Sequence, residues 1–221
     1  MTDGALVDND ILLKVCGYDI VDEALDVLSI FGERAGCLGV APYVLADRLK
    51  KTNRIKDREK AALNLAGFFS SVELLEPDEQ EIQTASEFEA TALAAGVNFD
   101  VGESLLAAIF IHRNFSCFAT GDKRAILASF KLPDLHKALS GNYLCLEQLL
   151  RAILNEINFA EIRNKVCAEE LIDKASTICF SCSSDNVELD SLVQGLKSYI
   201  DNLNSQISGT LVDCQIFKKT A

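Results

Sequence analysis

The sequence predicts an α/β protein in which a central parallel sheet is covered by helices on both faces, followed by a helical C-terminal extension. Up to about residue 146, short apolar runs alternate with longer stretches of helical periodicity. The short runs are apolar throughout, as in parallel strands that are buried on both faces. Beyond that point every apolar pattern has helical spacing. We therefore predict a three-layer α/β/α domain at residues 1–146 and a helical extension at residues 147–221.

The first part of the chain alternates three predicted strands with helices. The opening apolar run, Ala5-Leu6-Val7, is too short for a helix and is typical of a buried strand. Pro42 stands where a proline is favoured, in the first turn of a helix. Strands are predicted at residues 5–7, 37–40 and 72–75, and helices at 11–15, 21–31, 42–49, 57–69 and 78–95.

The second part begins with the same alternation and then becomes helical. Gly121 and Asp122 form a tight exit from the fourth predicted strand. The remaining strands are predicted at residues 116–120 and 142–146. Helices are predicted at 101–112 and 123–129 before the extension, and around 149–157, 162–178 and 189–207 within it.

The charge of the chain argues against bulk capture of nucleic acid or of an anionic membrane. It contains 21 Lys and Arg residues against 33 Asp and Glu residues, which gives a net charge of -12. One window differs, because residues 48–60 contain seven basic and two acidic residues. Within it, Lys50, Lys51 and Arg54 are candidates to bind phosphate groups locally.

Three features of the sequence predict a cytoplasmic protein without a membrane partner. No apolar run approaches the roughly 18 residues that a membrane span requires. The N-terminal residues lack the basic flank and apolar stretch of a signal peptide. The 8 Cys residues are scattered, mostly within apolar runs, and are interpreted as thiols that fill the core in a reducing compartment.

Acidic residues follow several of the predicted strands. Loops after the carboxyl ends of parallel strands meet at one crevice, where ligands bind. Carboxylates gathered there repel one another, and a hard divalent cation such as Mg²⁺ or Mn²⁺ relieves the repulsion. The candidate metal ligands are Asp8, Asp47, Asp100, Glu103 and Asp122, with Asn9, Asp10 and Thr120 as auxiliary residues.

The runs that contain these acids resemble PIN-domain nucleases over roughly residues 5–150. They are Leu6-Val7-Asp8-Asn9-Asp10, then Val44-Leu45-Ala46-Asp47-Arg48-Leu49, then Asp100-Val101-Gly102-Glu103, and finally Ala119-Thr120-Gly121-Asp122-Lys123-Arg124. The resemblance implies a PIN-like fold and a metal-dependent phosphodiesterase, most often a ribonuclease. It also implies a catalytic quartet of Asp8, Asp47, Glu103 and Asp122. The second acid is commonly Glu in the family, and the third assignment is split between Asp100 and Glu103.

The chemistry of phosphodiester hydrolysis is compatible with these residues. The reaction needs an activated water and stabilisation of negative charge on phosphorus, and one or two metal ions can supply both without a nucleophilic side chain. Thr120 or Asn9 would orient nearby oxygens, and the basic window would bind substrate phosphates. We therefore predict an endoribonuclease that uses Mg²⁺ or Mn²⁺, with single-stranded DNA left open as a substrate.

Two other functions remain open on the sequence. Asp8-Asn9-Asp10 and Gly121-Asp122 also resemble motifs of haloacid-dehalogenase-type phosphatases. Against that reading, Ile11 and Leu12 replace the usual small residues, and no acid follows Asp122 within seven residues. The other alternative is a catalytically silent PIN-like module whose extension recruits a protein partner.

The extension contains an apolar stripe that has to be buried. Leu149, Ile153, Leu154 and Ile157 recur at helical spacing. They are expected to pack either on the α/β domain or on another subunit. The sequence therefore leaves open a homodimer or a complex with a protein inhibitor or another protein partner.

Overall fold

Five short strands form one parallel sheet at the centre of the protein. The structure is a computed structural model and describes residues 4–155 and 158–217. The strands are β1 (Ala5–Val7), β2 (Ala35–Leu38), β3 (Glu73–Leu75), β4 (Cys117–Thr120) and β5 (Tyr143–Cys145). Their order across the sheet is β3-β2-β1-β4-β5, and all neighbouring pairs are parallel. The predicted strands are confirmed, with β2 two residues earlier than expected.

The strand order reverses next to β1. The chain first places β2 and β3 on one side of β1 and then returns to place β4 and β5 on the other side. The loops that follow β1 and β4 therefore leave the sheet in opposite directions. In an open parallel sheet this arrangement creates a crevice beyond the carboxyl ends of the two strands.

Twelve α-helices connect and cover the strands within the described residues. None of them has the length and apolar character needed to cross a membrane. The helices are α1 (Asn9–Gly17), α2 (Val21–Leu28), α3 (Ala41–Lys51), α4 (Arg58–Ser71), α5 (Glu79–Ala94), α6 (Val101–His112), α7 (Lys123–Phe130), α8 (Pro133–Leu139), α9 (Leu146–Ile153), α10 (Phe159–Ala168), α11 (Lys174–Cys179) and α12 (Leu189–Gln206).

The helices bury both faces of the sheet. In β1, Ala5 and Val7 point into one apolar cluster and Leu6 into the other, as expected from the alternation of side chains along a strand. Residues of α1 to α4 and α9 to α11 cover the first face, and residues of α5 to α8 cover the second. This arrangement confirms the predicted α/β class with a central parallel sheet and is consistent with three α/β/α layers.

The C-terminal extension packs on the α/β core of its own chain. Leu149, Ile153 and Leu154 are buried in the same cluster as Ala5 and Val7. Ile157, the remaining member of the predicted stripe, lies outside the described residues. Helix α12 contributes residues to both apolar clusters. The described part of the stripe is therefore covered by this chain itself.

Residues 210–212 pair with the outer strand β5. The Tyr143 N–H donates to the Thr210 carbonyl, and the Val212 N–H donates to the Tyr143 carbonyl at 2.8 Å. Leu211 forms an isolated parallel bridge with Tyr143. Residues 210–212 therefore cover the edge of the sheet at β5.

Two helical regions differ from the sequence prediction. Helix α8 was not predicted, and the helix expected at residues 162–178 is divided into α10 and α11. The Glu169 carboxylate, at the end of α10, accepts hydrogen bonds from the Lys56 and Asp57 N–H groups at 2.7 and 2.8 Å. This buried contact joins residues more than a hundred positions apart in the sequence and fixes the position of the chain where the helix is interrupted.

Two of the cysteines are joined, which corrects one expectation. Cys167 and Cys182 form a disulfide across 15 residues of sequence, so the prediction that all 8 cysteines are thiols is wrong for this pair. The disulfide closes the loop that contains α11. The remaining thiols are Cys16, Cys37, Cys117, Cys145 and Cys179, all buried, and the half-buried Cys214.

Candidate functional site

Asp8 and Asp122 lie at the crevice where the strand order reverses. The Asp8 N–H donates to the Ala119 carbonyl at 2.9 Å, so the pairing of β1 with β4 continues to this residue. The Thr120 hydroxyl donates to Asp8 Oδ2 at 3.0 Å and accepts the Asp122 N–H at 3.1 Å. A single hydroxyl therefore fixes the Asp8 carboxylate and the loop that carries Asp122.

Glu103 faces the same crevice from the start of α6. Asp100 and Glu103 form a capping box, in which each side chain accepts the other residue's N–H, at 2.9 and 2.8 Å respectively. Asp100 is exposed, whereas Glu103 is partly buried and lies within electrostatic reach of Asp8 and Asp122. Of the two acids between which the third assignment was split, Glu103 is thus the more buried one, and Asp100 caps the helix.

The environment separates the pKa values of the three acids. Burial, reinforced by the charge of Asp10, raises the pKa of Asp8 from its ordinary 3.8 to about 6. Burial, and then the charges of Asp100, Asp122 and Asp8, raise the pKa of Glu103 to about 7. Hydrogen bonds from Arg124 lower the pKa of Asp122. The site therefore combines one firmly ionised carboxylate with two that titrate near neutrality.

Asp10 connects the crevice to the C-terminal extension through Lys14. The Lys14 ammonium lies 2.7 Å from Asp10 Oδ2 and 2.9 Å from Asp173 Oδ2. Burial lowers the pKa of Lys14, but the charges of Asp10 and Asp173 outweigh that effect and raise it. A Cβ atom on Gly121 would lie 2.3 Å from Asp10 Oδ2, so a larger residue at this position would displace the Asp10 carboxylate.

Asp47 and Asn9 are less directly connected with the crevice than Asp8, Glu103 and Asp122 are. Asp47 lies on α3, its side chain is 59% exposed, and its carboxylate is held by Lys51 at 2.7 Å. The structure thus places this predicted fourth acid in a surface ion pair. Asn9 is the first residue of α1, next to Asp8, and its side chain forms no hydrogen bond with the described part of the chain.

The donor atoms of the crevice suit a hard divalent cation. Mg²⁺ and Mn²⁺ prefer carboxylate oxygens, and Asp8, Glu103 and Asp122 supply them. The raised pKa values of Asp8 and Glu103 reflect burial and negative charge that a cation would offset. Across residues 4–155 and 158–217, however, no three His, Cys, Asp or Glu side chains form a ready-made metal site. The crevice therefore fits a cation in its chemistry, and binding would require the carboxylates to move together.

A basic cleft adjoins the crevice. We use this name for a cavity of about 880 Å³ that Asp10 and Lys14 line together with Arg48, Lys51, Arg54 and residues 170–174 and 177 of the extension. Two of the three predicted phosphate-binding residues, Lys51 and Arg54, lie in its wall. The third, Lys50, instead lines a separate apolar depression between α3 and α4.

Three residues of this region, Lys14, Asp173 and Lys174, were not predicted from the sequence. The spacing of Asp10 and Lys14 by four residues on a helix could have indicated their ion pair. No comparable signal marks Asp173 and Lys174, because they meet the cleft from the extension, more than 150 residues further along the chain.

Comparison of the chain with protein-family models, with curated proteins and with solved structures gave no match. The functional assignment of this chain therefore depends on its own residues and their arrangement.

Proposed function

We propose that this protein is a metal-dependent phosphodiesterase with a PIN-like fold that cleaves RNA as an endonuclease. The observation that carries the proposal is the placement of Asp8, Glu103 and Asp122 around the crevice between β1 and β4, within electrostatic reach of one another and beside the basic cleft. Carboxylates suit a metal-assisted hydrolysis, and neighbouring cations suit a phosphate-bearing substrate.

The residues of the crevice would have different roles in the reaction. Asp8, Glu103 and Asp122 would hold Mg²⁺ or Mn²⁺, which when bound supplies water activation and offsets charge on phosphorus. The Thr120 hydroxyl fixes the orientation of the Asp8 carboxylate. Burial and the neighbouring carboxylates raise the pKa of Glu103 to about 7 in the cation-free site, and a bound cation would offset those charges and favour the ionised form that holds it. Asp122 stays ionised because Arg124 donates hydrogen bonds to it.

Asp47 belongs to the proposal through the resemblance to PIN domains. Its partner Lys51 lines the basic cleft, so a substrate phosphate would compete with the Asp47 carboxylate for the Lys51 ammonium. Release of Lys51 would leave Asp47 available to the cation. On this basis Asp47→Asn should reduce cleavage less than Asp8→Asn, because Asp8 is already part of the crevice.

The proposal is tested by incubating the full chain with labelled single-stranded RNA, and separately with DNA of the same sequence, in Mn²⁺. Cleavage of RNA that stops in EDTA and is abolished by Asp8→Asn supports it. Asp185→Asn is the matched control, because it removes the same charge from an exposed loop. Cleavage that survives EDTA or Asp8→Asn would contradict the proposed site.

The same preparation separates the two alternatives. Hydrolysis of p-nitrophenyl phosphate without any cleavage of RNA would indicate a phosphatase of the haloacid-dehalogenase type. Turnover of neither substrate would indicate a catalytically silent binding module.

Binding of the cation can be measured without substrate. Mn²⁺ at a hundredfold excess over its Kd should stabilise the protein by about 2.7 kcal/mol. The gain should be much smaller for Asp8→Asn, and a thermal shift assay measures both. Equal stabilisation of the two proteins would place the cation elsewhere.

A further inference from the structure

The basic cleft has two walls that come from distant parts of the chain. Helix α3 and the turn after it supply Arg48 and Arg54, and the C-terminal extension supplies Lys174 and Thr177. The volume of about 880 Å³ lies within the range of ligand-binding sites. The extension is thus part of a cavity that opens next to the crevice through Asp10.

Three cations in this cleft are unpaired within the described part of the chain. Arg48, Arg54 and Lys174 form no ion pair with any described residue. Lys14 and Lys51, in contrast, are paired with acids. Uncompensated cations that line one concavity repel one another, and an anion bound among them removes the repulsion. On a protein of net charge -12 this concentration of free positive charge indicates an anionic ligand.

The acids that line the cleft do not supply that anion. Asp10 and Asp173 are both engaged by Lys14, at 2.7 and 2.9 Å. Glu170 pairs with Lys56 at 3.3 Å. Each acid of the lining is therefore occupied by a cation other than the three unpaired ones.

The wall formed by the extension is held in place by several contacts. Asp173 caps α11 by accepting the Ser176 N–H at 2.9 Å and is itself tied to Lys14. The disulfide between Cys167 and Cys182 closes the segment that contains this wall. The cleft is therefore organised before a ligand arrives, which lowers the entropic cost of binding.

The remaining lining consists of four aliphatic residues and two threonines. Leu13, Ile55, Leu171 and Ile172 lie between the charged residues, and none of the described residues that line the cavity is Phe, Tyr or Trp. Aliphatic side chains can cover a sugar or a base edge, but they cannot provide the stacking platform of many single-strand-binding proteins. Binding in this cleft would therefore depend on phosphates and show little preference among bases.

We infer that residues 170–177 form one wall of a binding cleft for a single-stranded polynucleotide, in which Lys174, Arg48 and Arg54 contact successive phosphates. The identity of the ligand rests on the proposed function, whereas the charges and the cavity do not. A single strand fits the observations because the cations line a concave cavity of limited volume. The strand would leave the cleft at Asp10, two residues from Asp8, and so enter the crevice.

The test measures binding separately from cleavage. A fluorescent single-stranded RNA of mixed sequence is titrated with the full chain in EDTA, and anisotropy gives Kd at several KCl concentrations. Loss of one phosphate contact should reduce the slope of log Kd against log salt by about 0.7. Lys174→Gln should show this reduction and weaken binding roughly twofold to fivefold. Lys131→Gln, an exposed lysine outside the cleft, is the matched control.

The result that would overturn the inference is a slope and a Kd that Lys174→Gln leaves equal to those of the control variant. The inference would also be overturned if duplex RNA bound more tightly than single-stranded RNA. The same holds if polyglutamate competed for the protein as effectively as unlabelled single-stranded RNA does. The proposed function fails independently, when RNA binds in this manner but is not cleaved in Mn²⁺.

Discussion

Asp8→Asn should stabilise the protein at neutral pH, in contrast to most substitutions of buried residues. The pKa of Asp8 is raised from 3.8 to about 6, mainly by burial and then by the charge of Asp10. At about 1.4 kcal/mol per pKa unit, keeping this carboxylate ionised costs the folded state about 3 kcal/mol. The asparagine avoids that cost, and its side-chain oxygen can still accept the hydrogen bond from Thr120.

The sign of the effect follows from proton binding. An acid with a raised pKa binds more protons in the folded state, so the contribution of Asp8 to stability falls as pH rises from about 4 to about 6 and stays level above that. The variant lacks this contribution, whereas Glu103, whose pKa is also raised, is present in both proteins. The advantage of the variant should be near zero at pH 4 and close to 3 kcal/mol at pH 7, which is roughly 6–12 °C in Tm for a chain of this size.

Urea denaturation of both proteins in EDTA, at half-unit steps between pH 4 and pH 7.5, measures this difference. Asp185→Asn serves as the control and should have the same stability as the wild type at every pH of the series. The prediction would be refuted if Asp8→Asn were less stable than the wild type by the same amount at every pH. Asp8 would then act as an ordinary helix cap, whose loss costs about 1 kcal/mol.

Three other changes test contacts away from the crevice. Cys182→Ser opens the loop that Cys167 closes and should cost about 3 kcal/mol in urea unfolding without reductant, with no difference in dithiothreitol. Arg113→Met leaves the Glu81 carboxylate, of which 1% is exposed, without its ion-pair partner and should cost about 3–5 kcal/mol by the same measurement. Truncation after residue 146 removes side chains from both apolar clusters and should give an aggregated product in size-exclusion chromatography, whereas a soluble active monomer would show that the extension is dispensable.

Much of the fold could be predicted because local pattern and tertiary position agree. Buried parallel strands read as uninterrupted apolar runs, so β1 and β4 were evident from the sequence. The interruption after α10 could not be predicted, because it depends on Glu169 binding N–H groups 112 and 113 residues earlier in the chain. The pairing of Cys167 with Cys182 could not be predicted from the sequence either, since spacing alone does not define disulfide connectivity.

The crevice was more accessible to sequence reasoning than the cleft beside it. Acids that directly follow a strand, such as Asp8 and Asp122, are positioned by the sheet itself. Asp47 lies within a helix, where an exposed lysine four residues later competes for its carboxylate. Lys174 is brought to the cleft by packing of the extension, which no local pattern encodes.

The pairing of residues 210–212 with β5 has a consequence for how the protein is made. On the ribosome, the strands and the residues of the crevice emerge well before the segment that covers the sheet edge. Until then β5 presents unpaired N–H and C=O groups, which are a template for association with other chains. Nascent chains that stop short of residue 210 should therefore be prone to aggregate even when the helices before it have formed. Completion of the sheet thus has to wait for the synthesis of residues 210–212.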